Sequence, residues 1–553
     1  MRTNTLNNRL SGILAHPTMF PSPYGIGDLG GGAFRFIDFL VKANQTLWQI
    51  LPLNPTSFGD SPYQSFSTFA GNPLLISPEF LIKDQLLAHH DLWGAPDSGA
   101  IDYGAVINYK ERILRMAFRN FRINTEQRLA FLRFCEENAA WLGDYCLFMA
   151  LKAHFISERR NDLDSAEYAA FKQSVKGILT ENQIKDYYYG AVWQSWPKEL
   201  AMREKTALDE WKERLAEEIE YLSFAQFLFF KQWKNLKDYA NENGITVIGD
   251  VPIFVALDSA DVWSAPELFC LDKSGYPTAV AGVPPDYFSK TGQLWGNPLY
   301  DWKRHKAADF AWWTARIKSA LTVTDVVRID HFRGFESYWA VPAGETTAIK
   351  GKWMKCPGYS LFEKLEQELG ELPIIAEDLG LITPEVEELR DSLNLPGMRV
   401  MQFGFDQTHK NVHCPHNYPQ NAVAYTGTHD NDTTCGWYAA SDEKMKDYFR
   451  RYLNTGGNNP SWDMIRALML SAANWAVIPV QDILSLGSWA RMNFPGITGG
   501  NWQFRYGANC LTDEAADKLR YLAELSDRNV ADIPPLSDDD VGDGVSQLSD
   551  DVV

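Results

Sequence analysis

Eight short apolar runs, separated by polar and helix-patterned stretches, dominate the hydrophobic pattern of this chain. Each run contains at least one β-branched residue and has the length of a strand rather than of a helix. Near-continuous apolar runs are typical of strands buried on both faces, as in a parallel sheet. The eight predicted strands are SGILAH near Gly12, LWQILPL from Leu47, ITVIGDVPIF from Ile245, TDVVRIDHF from Thr324, LPIIAED from Leu372, MRVMQFGF from Met398, NAVAYTGTHD from Asn421 and WAVIPVQD from Trp475.

Helical periodicity appears between several of these runs. AFRFIDFLVKA follows the first strand, YSLFEKLEQELG precedes the fifth, and TPEVEELRDSL follows the fifth. In the last of these, Thr383 occupies a helix N-cap position and Pro384 the first turn. Eight strands that alternate with helices predict an α/β protein with a (β/α)8 TIM barrel.

The spacing of the strands is uneven and predicts two large insertions. Residues from about 56 to 221 contain long helical patterns, so they are predicted to form a mainly helical subdomain. Residues from about 256 to 302 include VAGVPPDYFSKTGQLWGNP, which has no regular period and predicts a long ordered loop of the kind that serves function. We therefore predict one catalytic barrel over residues 1–512, followed over 513–553 by a helix-like segment and an acidic, disordered tail.

Three of the predicted strands end in a carboxylate, at Asp330, Glu377 and Asp430. Carboxyl ends of parallel strands form one face of a barrel, so we expect the three acids to meet there. Retaining cleavage of a glycosidic bond needs two carboxylates, one as the nucleophile and one as the acid/base. Asp330 fits the nucleophile because Arg328, two residues earlier, faces the same side and would hold it ionised. Glu377 fits the acid/base, with a pKa raised by burial or by a neighbouring acid such as Asp378.

The third acid belongs to a His429–Asp430 pair that fits a substrate clamp. Asp430 would grip sugar hydroxyls and stabilise an oxocarbenium-like transition state, and His429 would donate to another hydroxyl. Each motif also has a structural alternative: an ion pair for RID, a helix N-cap for EDLG and an Asx-rich turn for THDND. Because all three motifs follow strand-like runs in one chain, the chemical interpretation is favoured.

Composition and charge narrow the class of function. The chain has 553 residues, is 45% hydrophobic and carries a formal net charge of −19, which argues against nucleic-acid and anionic-membrane partners. No apolar run reaches 18 residues, so no membrane span is predicted. The seven cysteines are odd in number and scattered without a CxxC pair, which indicates reduced thiols and a cytoplasmic protein. Aromatic residues reach 13%, with 19 Trp, and aromatic faces suit both protein cores and sugar rings.

No cofactor or metal site is predicted. His409, His413, Cys414 and His416 lie close together, but the spacing HxxxHCxH matches no familiar zinc pattern and is more typical of loop histidines. DNDTT at Asp430 lacks the twelve-residue calcium-loop pattern, and GDLGGG at Gly27 lacks the lysine of a phosphate-binding loop.

Longer motifs carry a resemblance to a known family. The chain resembles the 4-α-glucanotransferases of the amylomaltase, or disproportionating-enzyme, family, which is family 77 of the glycoside hydrolases. The similarity covers about residues 10 to 506. Its motifs are GILAHPTMFPSPYGIGDLG, LPLNPTSFGDSPYQSFSTFAGNP, GDVPIFVALDSADVW, GVPPDYFSKTGQLWGNPLYDW, RIDHFRGFESYW, AEDLG, MRVMQFGF, AYTGTHDNDT and GNWQFR.

The resemblance implies a barrel interrupted by subdomains, without a C-terminal β-domain. It implies retaining transfer of α-1,4-glucan segments between maltooligosaccharides or starch-type glucans, with glucose as an acceptor and glucose released from maltotriose-like donors. On the matching positions, the nucleophile falls on Asp330, the acid/base on Glu377 and the transition-state-stabilising acid on Asp430. The implied substrate-binding residues are Arg328, His429, Asp250, Tyr63, Gln293, Trp295, Asp286 and Tyr287.

Two other functions remain open at this stage. One is an α-amylase-like hydrolase that uses the same acids, and the other is a catalytically idle glucan-binding or scaffold protein. The absence of a C-terminal β-domain signature disfavours the hydrolase, and the presence of all three acids disfavours the idle protein. The loop that contains Tyr287, Phe288 and Trp295 would favour transfer if it bound the acceptor and excluded water.

Overall fold

The fold was analysed in a computed structural model of the chain. The structure describes residue 6 and residues 8–97, 99–123, 127–159, 165–285, 289–406, 408, 410–497 and 499–528. The predicted acidic tail from residue 529 lies outside the described residues.

Twelve strands occur in the described part of the chain. They are β1 (Leu10–Leu14), β2 (Leu47–Gln49), β3 (Thr246–Pro252), β4 (Ala279–Val283), β5 (Gln293–Pro298), β6 (Val326–Asp330), β7 (Ser337–Pro342), β8 (Lys352–Lys355), β9 (Ile374–Ala376), β10 (Gly397–Val400), β11 (Ala422–Tyr425) and β12 (Trp475–Pro479).

Eight of these strands close into a parallel barrel in the order β1-β12-β11-β10-β9-β6-β3-β2. They are the eight strands predicted from the apolar runs, so the TIM-barrel prediction is confirmed. Every barrel strand contributes to one buried cluster of large apolar side chains, as expected for a filled barrel rather than a pore. That cluster consists of Leu10, Leu14, Leu47, Ile248, Val326, Ile375, Met398, Val423, Tyr425, Trp475 and Val477.

Helices surround the barrel and fill the connections between its strands. In chain order they are α1 (Gly31–Lys42), α2 (Pro78–Lys83), α3 (Tyr103–Ile123), α4 (Arg128–Glu137), α5 (Leu142–Arg159), α6 (Ala166–Ser174), α7 (Glu181–Tyr189), α8 (Lys198–Ala201), α9 (Lys205–Arg214), α10 (Ala216–Glu242), α11 (Ala260–Ser264), α12 (Trp302–Ala307), α13 (Ala311–Val323), α14 (Gly358–Leu369), α15 (Pro384–Ser392), α16 (Thr434–Ala440), α17 (Glu443–Leu453), α18 (Pro460–Met469), α19 (Val480–Ile483) and α20 (Asp513–Leu525). Among the described residues, no helix has the length and apolar character that crossing a membrane requires.

The connection between β2 and β3 contains helices α2 to α10, a mainly helical excursion from the barrel. The connection between β3 and β6 is different from the loop predicted for it. It contains β4 and β5, which join β7 and β8 in a four-stranded antiparallel sheet of order β5-β4-β7-β8. The prediction of a long ordered loop was wrong for β4 and β5 because their partner strand β7 follows β6, about 60 residues away in sequence, and the glycines conceal any alternation.

The C-terminal helix α20 belongs to the same core as the barrel. It packs against α1 and α18, and Ala516, Leu519 and Leu522 lie in the main hydrophobic cluster.

Arg528 follows α20 and is completely buried beneath the start of the barrel strands. Its guanidinium donates to the carbonyl oxygens of Leu10 and Asn474 at the starts of β1 and β12, at 2.9 and 2.8 Å. Three further carbonyls accept hydrogen bonds from it, those of Met469, Ser471 and Ala473. Arg528 thus joins the first and last barrel strands.

Candidate active site

The carboxyl ends of four barrel strands bring the predicted polar residues together. Asp250 lies within β3, Arg328 and Asp330 within β6, Glu377 directly after β9, and the His429–Asp430 pair in the loop after β11. Because all eight strands are parallel, these ends lie on one face of the barrel.

Arg328 is the centre of this face and is almost completely buried. Its guanidinium donates to Asp250 Oδ2 at 2.6 Å and to Asp330 Oδ1 at 3.0 Å. Tyr63, from the connection after β2, donates its hydroxyl to the same Asp250 oxygen at 2.7 Å. One buried cation therefore fixes two carboxylates, and Asp250 in turn fixes Tyr63. Removing Arg328 would leave the buried Asp250 without a cation, and uncompensated buried charges typically cost about 3–5 kcal/mol.

Asp330 has an environment that balances two opposing effects. Burial raises its pKa to about 6, with Asp250 and Asp430 adding to the rise while Arg328 opposes it. Arg328 therefore acts in the predicted direction, but it offsets the loss of hydration only in part.

Glu377 is more strongly biased toward its protonated form. Burial raises the pKa of Glu377 to about 8, and the neighbouring Asp330 adds to the rise. The backbone amides of His331 and Leu379 donate to its two oxygens at 2.6 and 2.9 Å, which opposes the shift without cancelling it.

The sequence suggests Asp378 as the acid that raises the pKa of Glu377. In the structure, the neighbouring acid that does so is Asp330. Asp378 faces away from Glu377, toward Arg390 and Arg399, and accepts from the backbone amide of Met398 at 2.6 Å. It has a structural role.

The His429–Asp430 pair is held by residues that follow β12. Asn493 Nδ2 donates to Asp430 Oδ1 at 2.7 Å, and Arg491 donates to the Asp430 carbonyl at 2.6 Å. The side chain of Asp430 remains 44% exposed, so its second oxygen is open to a ligand. The His429 ring stacks on Tyr63 with centroids 5.1 Å apart.

On the other side of Asp330, the four-stranded sheet supplies Gln293 and Trp295 from β5. Trp295 donates its indole N–H to Gln293 Oε1 at 3.2 Å and packs edge-on against the His331 ring at 4.8 Å. His331 directly follows Asp330 and has a left-handed backbone, with φ 54°. Asp286 and Tyr287, the other predicted substrate contacts from this region, lie outside the described residues.

Comparison with known proteins agrees with this geometry. The profile of the family described as 4-alpha-glucanotransferase matches residues 15–509. The chain belongs to this 4-alpha-glucanotransferase family. It is 48% identical to the 4-alpha-glucanotransferase of Synechocystis over 95% of this chain and 99% of the relative, and 47% identical to that of Thermus thermophilus over 94% and 99%.

A solved structure and a plant relative support the same conclusion. The amylomaltase of Streptococcus agalactiae in complex with acarbose superposes with a TM-score of 0.86, at 39% identity, over 94% of this chain and all of that chain. A chloroplastic/amyloplastic 4-alpha-glucanotransferase of Arabidopsis thaliana is 41% identical over 94% of this chain and 86% of the relative. The enzyme is therefore a glucan-processing 4-alpha-glucanotransferase. This assignment disfavours the two alternatives, a hydrolase and an idle scaffold.

Several residues at the site of this 4-alpha-glucanotransferase were not predicted from the sequence. His331, Arg491 and Asn493 contact the predicted acids, and Trp502 backs the aromatic stack, with its ring 5.9 Å from Tyr63 and 6.0 Å from His429. Arg491 and Asn493 are more than 60 positions from Asp430, so no local pattern reveals them. Trp502 lies in the quoted motif GNWQFR, and its left-handed backbone, with φ 67°, becomes visible only in the structure.

The histidine-rich segment considered for a metal lies near β10. His413 accepts from the Val400 amide through Nδ1 at 3.1 Å, and Cys414 is buried against the Gly404 carbonyl. His409 lies outside the described residues. Within the described ranges, no group of three or more His, Cys, Asp or Glu side chains is arranged to hold a metal ion.

Proposed function

We propose that the enzyme transfers α-1,4-glucan segments with retention, through a covalent glycosyl-Asp330 intermediate and with Glu377 as the acid/base. The observation that carries this proposal is the contrast between the two carboxyls. Asp330 is paired with the Arg328 guanidinium, whereas Glu377 accepts only from neutral backbone amides and has a pKa raised to about 8. At neutral pH the first is ready to attack and the second ready to donate a proton.

In the first half-reaction, Glu377 gives its proton to the glycosidic oxygen while an Asp330 oxygen bonds to the anomeric carbon. The C–O bond to the leaving glucan breaks, and that glucan departs with a new hydroxyl. In the second half-reaction, the ionised Glu377 takes a proton from the 4-hydroxyl of an acceptor, whose oxygen displaces Asp330 from the anomeric carbon. The two inversions restore the original α configuration.

The sugar that reacts is held by the residues around Arg328. Asp430 and His429 would accept from and donate to its hydroxyls, and the exposed oxygen of Asp430 is placed for this contact. Tyr63 would stack beside the ring. Asp250, which is buried, would act through its hydrogen bonds to Arg328 and Tyr63.

Gln293 and Trp295 would hold the acceptor. They lie on an ordered strand beside His331, so an acceptor sugar there would shield Asp330 from water. Asp286 and Tyr287 are proposed as further substrate contacts on the sequence resemblance alone. The substrates are then maltooligosaccharides and starch-type glucans, with glucose as acceptor and as the product released from maltotriose. Binding of acarbose by the Streptococcus agalactiae amylomaltase supports this substrate class.

The test is incubation of the purified enzyme with maltotriose alone. We expect glucose together with a ladder of longer maltooligosaccharides, and Asp330→Asn should lower the rate by more than about 10³-fold, since nucleophile and acid act as one unit. Mass spectrometry of the quenched wild-type enzyme should find a glycosyl group on the peptide that contains Asp330. Glucose and maltose with nothing longer than maltotriose would refute the transfer proposal.

A further inference from the structure

The loop between β11 and α16, residues 426–433, carries His429 and Asp430 and has to hold both side chains in fixed positions. Within the loop, Asn431 Oδ1 accepts from the backbone amide and the hydroxyl of Thr428, both at 2.9 Å. This local turn shapes the middle of the loop. It does not fix the loop relative to the barrel.

The two ends of the loop are fixed by one carboxylate from another strand connection. Asp482 lies on α19, directly after β12, and is 1% exposed. Its Oδ2 accepts from the hydroxyls of Thr426 and Thr434 at 2.6 and 2.7 Å, and its Oδ1 accepts from the backbone amide of Thr434 at 2.7 Å. Thr426 and Thr434 are themselves completely buried.

These bonds set the distance between the entry and exit of the loop. Thr426 immediately follows β11, and Thr434 is the first residue of α16, so these bonds flank the seven loop residues 427–433. The same segment after β12 also holds the outer side of the loop, where Ser488 donates to Asp432 Oδ2 at 2.6 Å. Gln402, from the segment after β10, also donates to the Asp432 carbonyl at 2.9 Å. The described contacts thus hold the loop mainly from residues 480–493, with Gln402 as a further support, rather than from within the loop.

We propose that Asp482 is a positioning residue for His429 and Asp430, acting on the transferase reaction without touching the glucan. This inference rests on the function proposed for Asp430. A group that stabilises a transition state has to be held to within a fraction of an ångström, and a displacement of about 1 Å can cost about 10²-fold in rate.

An amide cannot replace this carboxylate. If the amide oxygen of Asp482→Asn faced the two hydroxyls, its NH₂ group would meet the Thr434 N–H, donor against donor. In the flipped orientation, the NH₂ group would donate to the hydroxyl oxygens, and both hydroxyl hydrogens would have to find other acceptors in a buried site. Either orientation takes at least one buried donor away from its acceptor.

The experiment is a double-mutant cycle between Asp482→Asn and Asp430→Asn, assayed with maltosyl fluoride as an activated donor so that low rates stay measurable. We expect Asp482→Asn alone to lower kcat by roughly 10- to 100-fold with little change in KM, because the lost interaction operates in the transition state. In the Asp430→Asn background, the same change should lower kcat by less than about threefold.

Additive losses in the cycle, or an Asp482→Asn variant with normal kcat, would overturn the positioning role. An Asp430→Asn variant with wild-type activity would instead refute the proposed function of Asp430, so the two failures are distinguishable.

Matched variants separate positioning from folding. Asp325→Asn changes a carboxylate that accepts from the Val247 amide at 2.9 Å at the opposite end of the barrel, and it should leave kcat unchanged. Thr426→Val removes one bond to Asp482 while keeping the side-chain shape, and it should show a smaller kcat loss with the same coupling to Asp430→Asn. Thr426→Ser keeps the hydroxyl and should restore the rate. Equal rates for the Val and Ser variants would contradict the proposal even if Asp482→Asn fails to fold.

Discussion

At the scale of single residues, the site depends on two carboxyl groups whose surroundings differ. Both are removed from water, which raises the pKa of each, but only Asp330 has a guanidinium beside it. Because the pKa of Asp330 is about 6 and that of Glu377 about 8, there is a pH range in which Asp330 is ionised while Glu377 is protonated.

This difference predicts a bell-shaped pH profile. Asp330 must lose its proton, so kcat/KM should rise through a pH of about 6, and Glu377 must keep its proton, so it should fall through about 8. Arg328→Gln should move the acid limb to higher pH, because the cation that lowers the pKa of Asp330 is gone. Initial rates with maltotriose between pH 4 and 10 would measure both limbs, and an acid limb that Arg328→Gln leaves in place would contradict the assignment.

At the scale of elements, the eight barrel strands were predictable because each buries a near-continuous apolar run on a parallel ladder. The three acids were predictable for the same reason, since each follows such a run. Strands β4 and β5 were missed because their antiparallel partner β7 comes from beyond β6, and their glycines break the alternation. Contacts such as Asn493 with Asp430 join different strand connections, so only the closed barrel reveals them.

Strand β5 is the element that we expect to decide between transfer and hydrolysis. Trp295→Ala should lower the ratio of elongated products to hydrolysis products by roughly tenfold, which corresponds to about 1.4 kcal/mol of lost acceptor contact. Trp353→Ala is the control, because Trp353 lies on β8 at the far edge of the same sheet and packs against Trp339 and Arg333. Chromatography of the maltotriose products gives the ratio for both variants. A Trp295→Ala enzyme with an unchanged ratio would argue that this strand does not hold the acceptor.

At the scale of the whole molecule, stability depends on how the barrel closes. Arg528 provides hydrogen bonds to five carbonyls at the starts of β1 and β12 and at the end of α18, and it pairs with no carboxylate in the described part of the chain. The predicted end of the catalytic barrel at 512 stays a prediction, yet α20 and Arg528 lie in the barrel's own core. The predicted cytoplasmic location likewise stays a prediction.

Arg528→Met should therefore destabilise the enzyme strongly, by roughly 2–5 kcal/mol, because five carbonyls around the barrel closure would each lose a buried hydrogen-bond donor. Arg520→Met on the preceding helix α20 is the control, since Arg520 is 44% exposed and its loss should cost at most about 0.5 kcal/mol. Urea unfolding followed by tryptophan fluorescence would measure both. Equal midpoints for the two variants would show that Arg528 is not needed for closure.

The contact between Arg528 and the first strand also has a consequence for how the protein is made. Leu10 and Arg528 are separated by 518 residues, so at a synthesis rate of about 5–20 residues per second β1 waits roughly 30–100 s for the residue that joins it to β12. For most of that time, until β12 has been made, one edge of β1 has no partner strand, and an unpaired apolar edge readily pairs with another chain. On the ribosome, the earliest strand of this barrel is thus among the last to be completed, and nascent chains on neighbouring ribosomes are most exposed to aggregation through it.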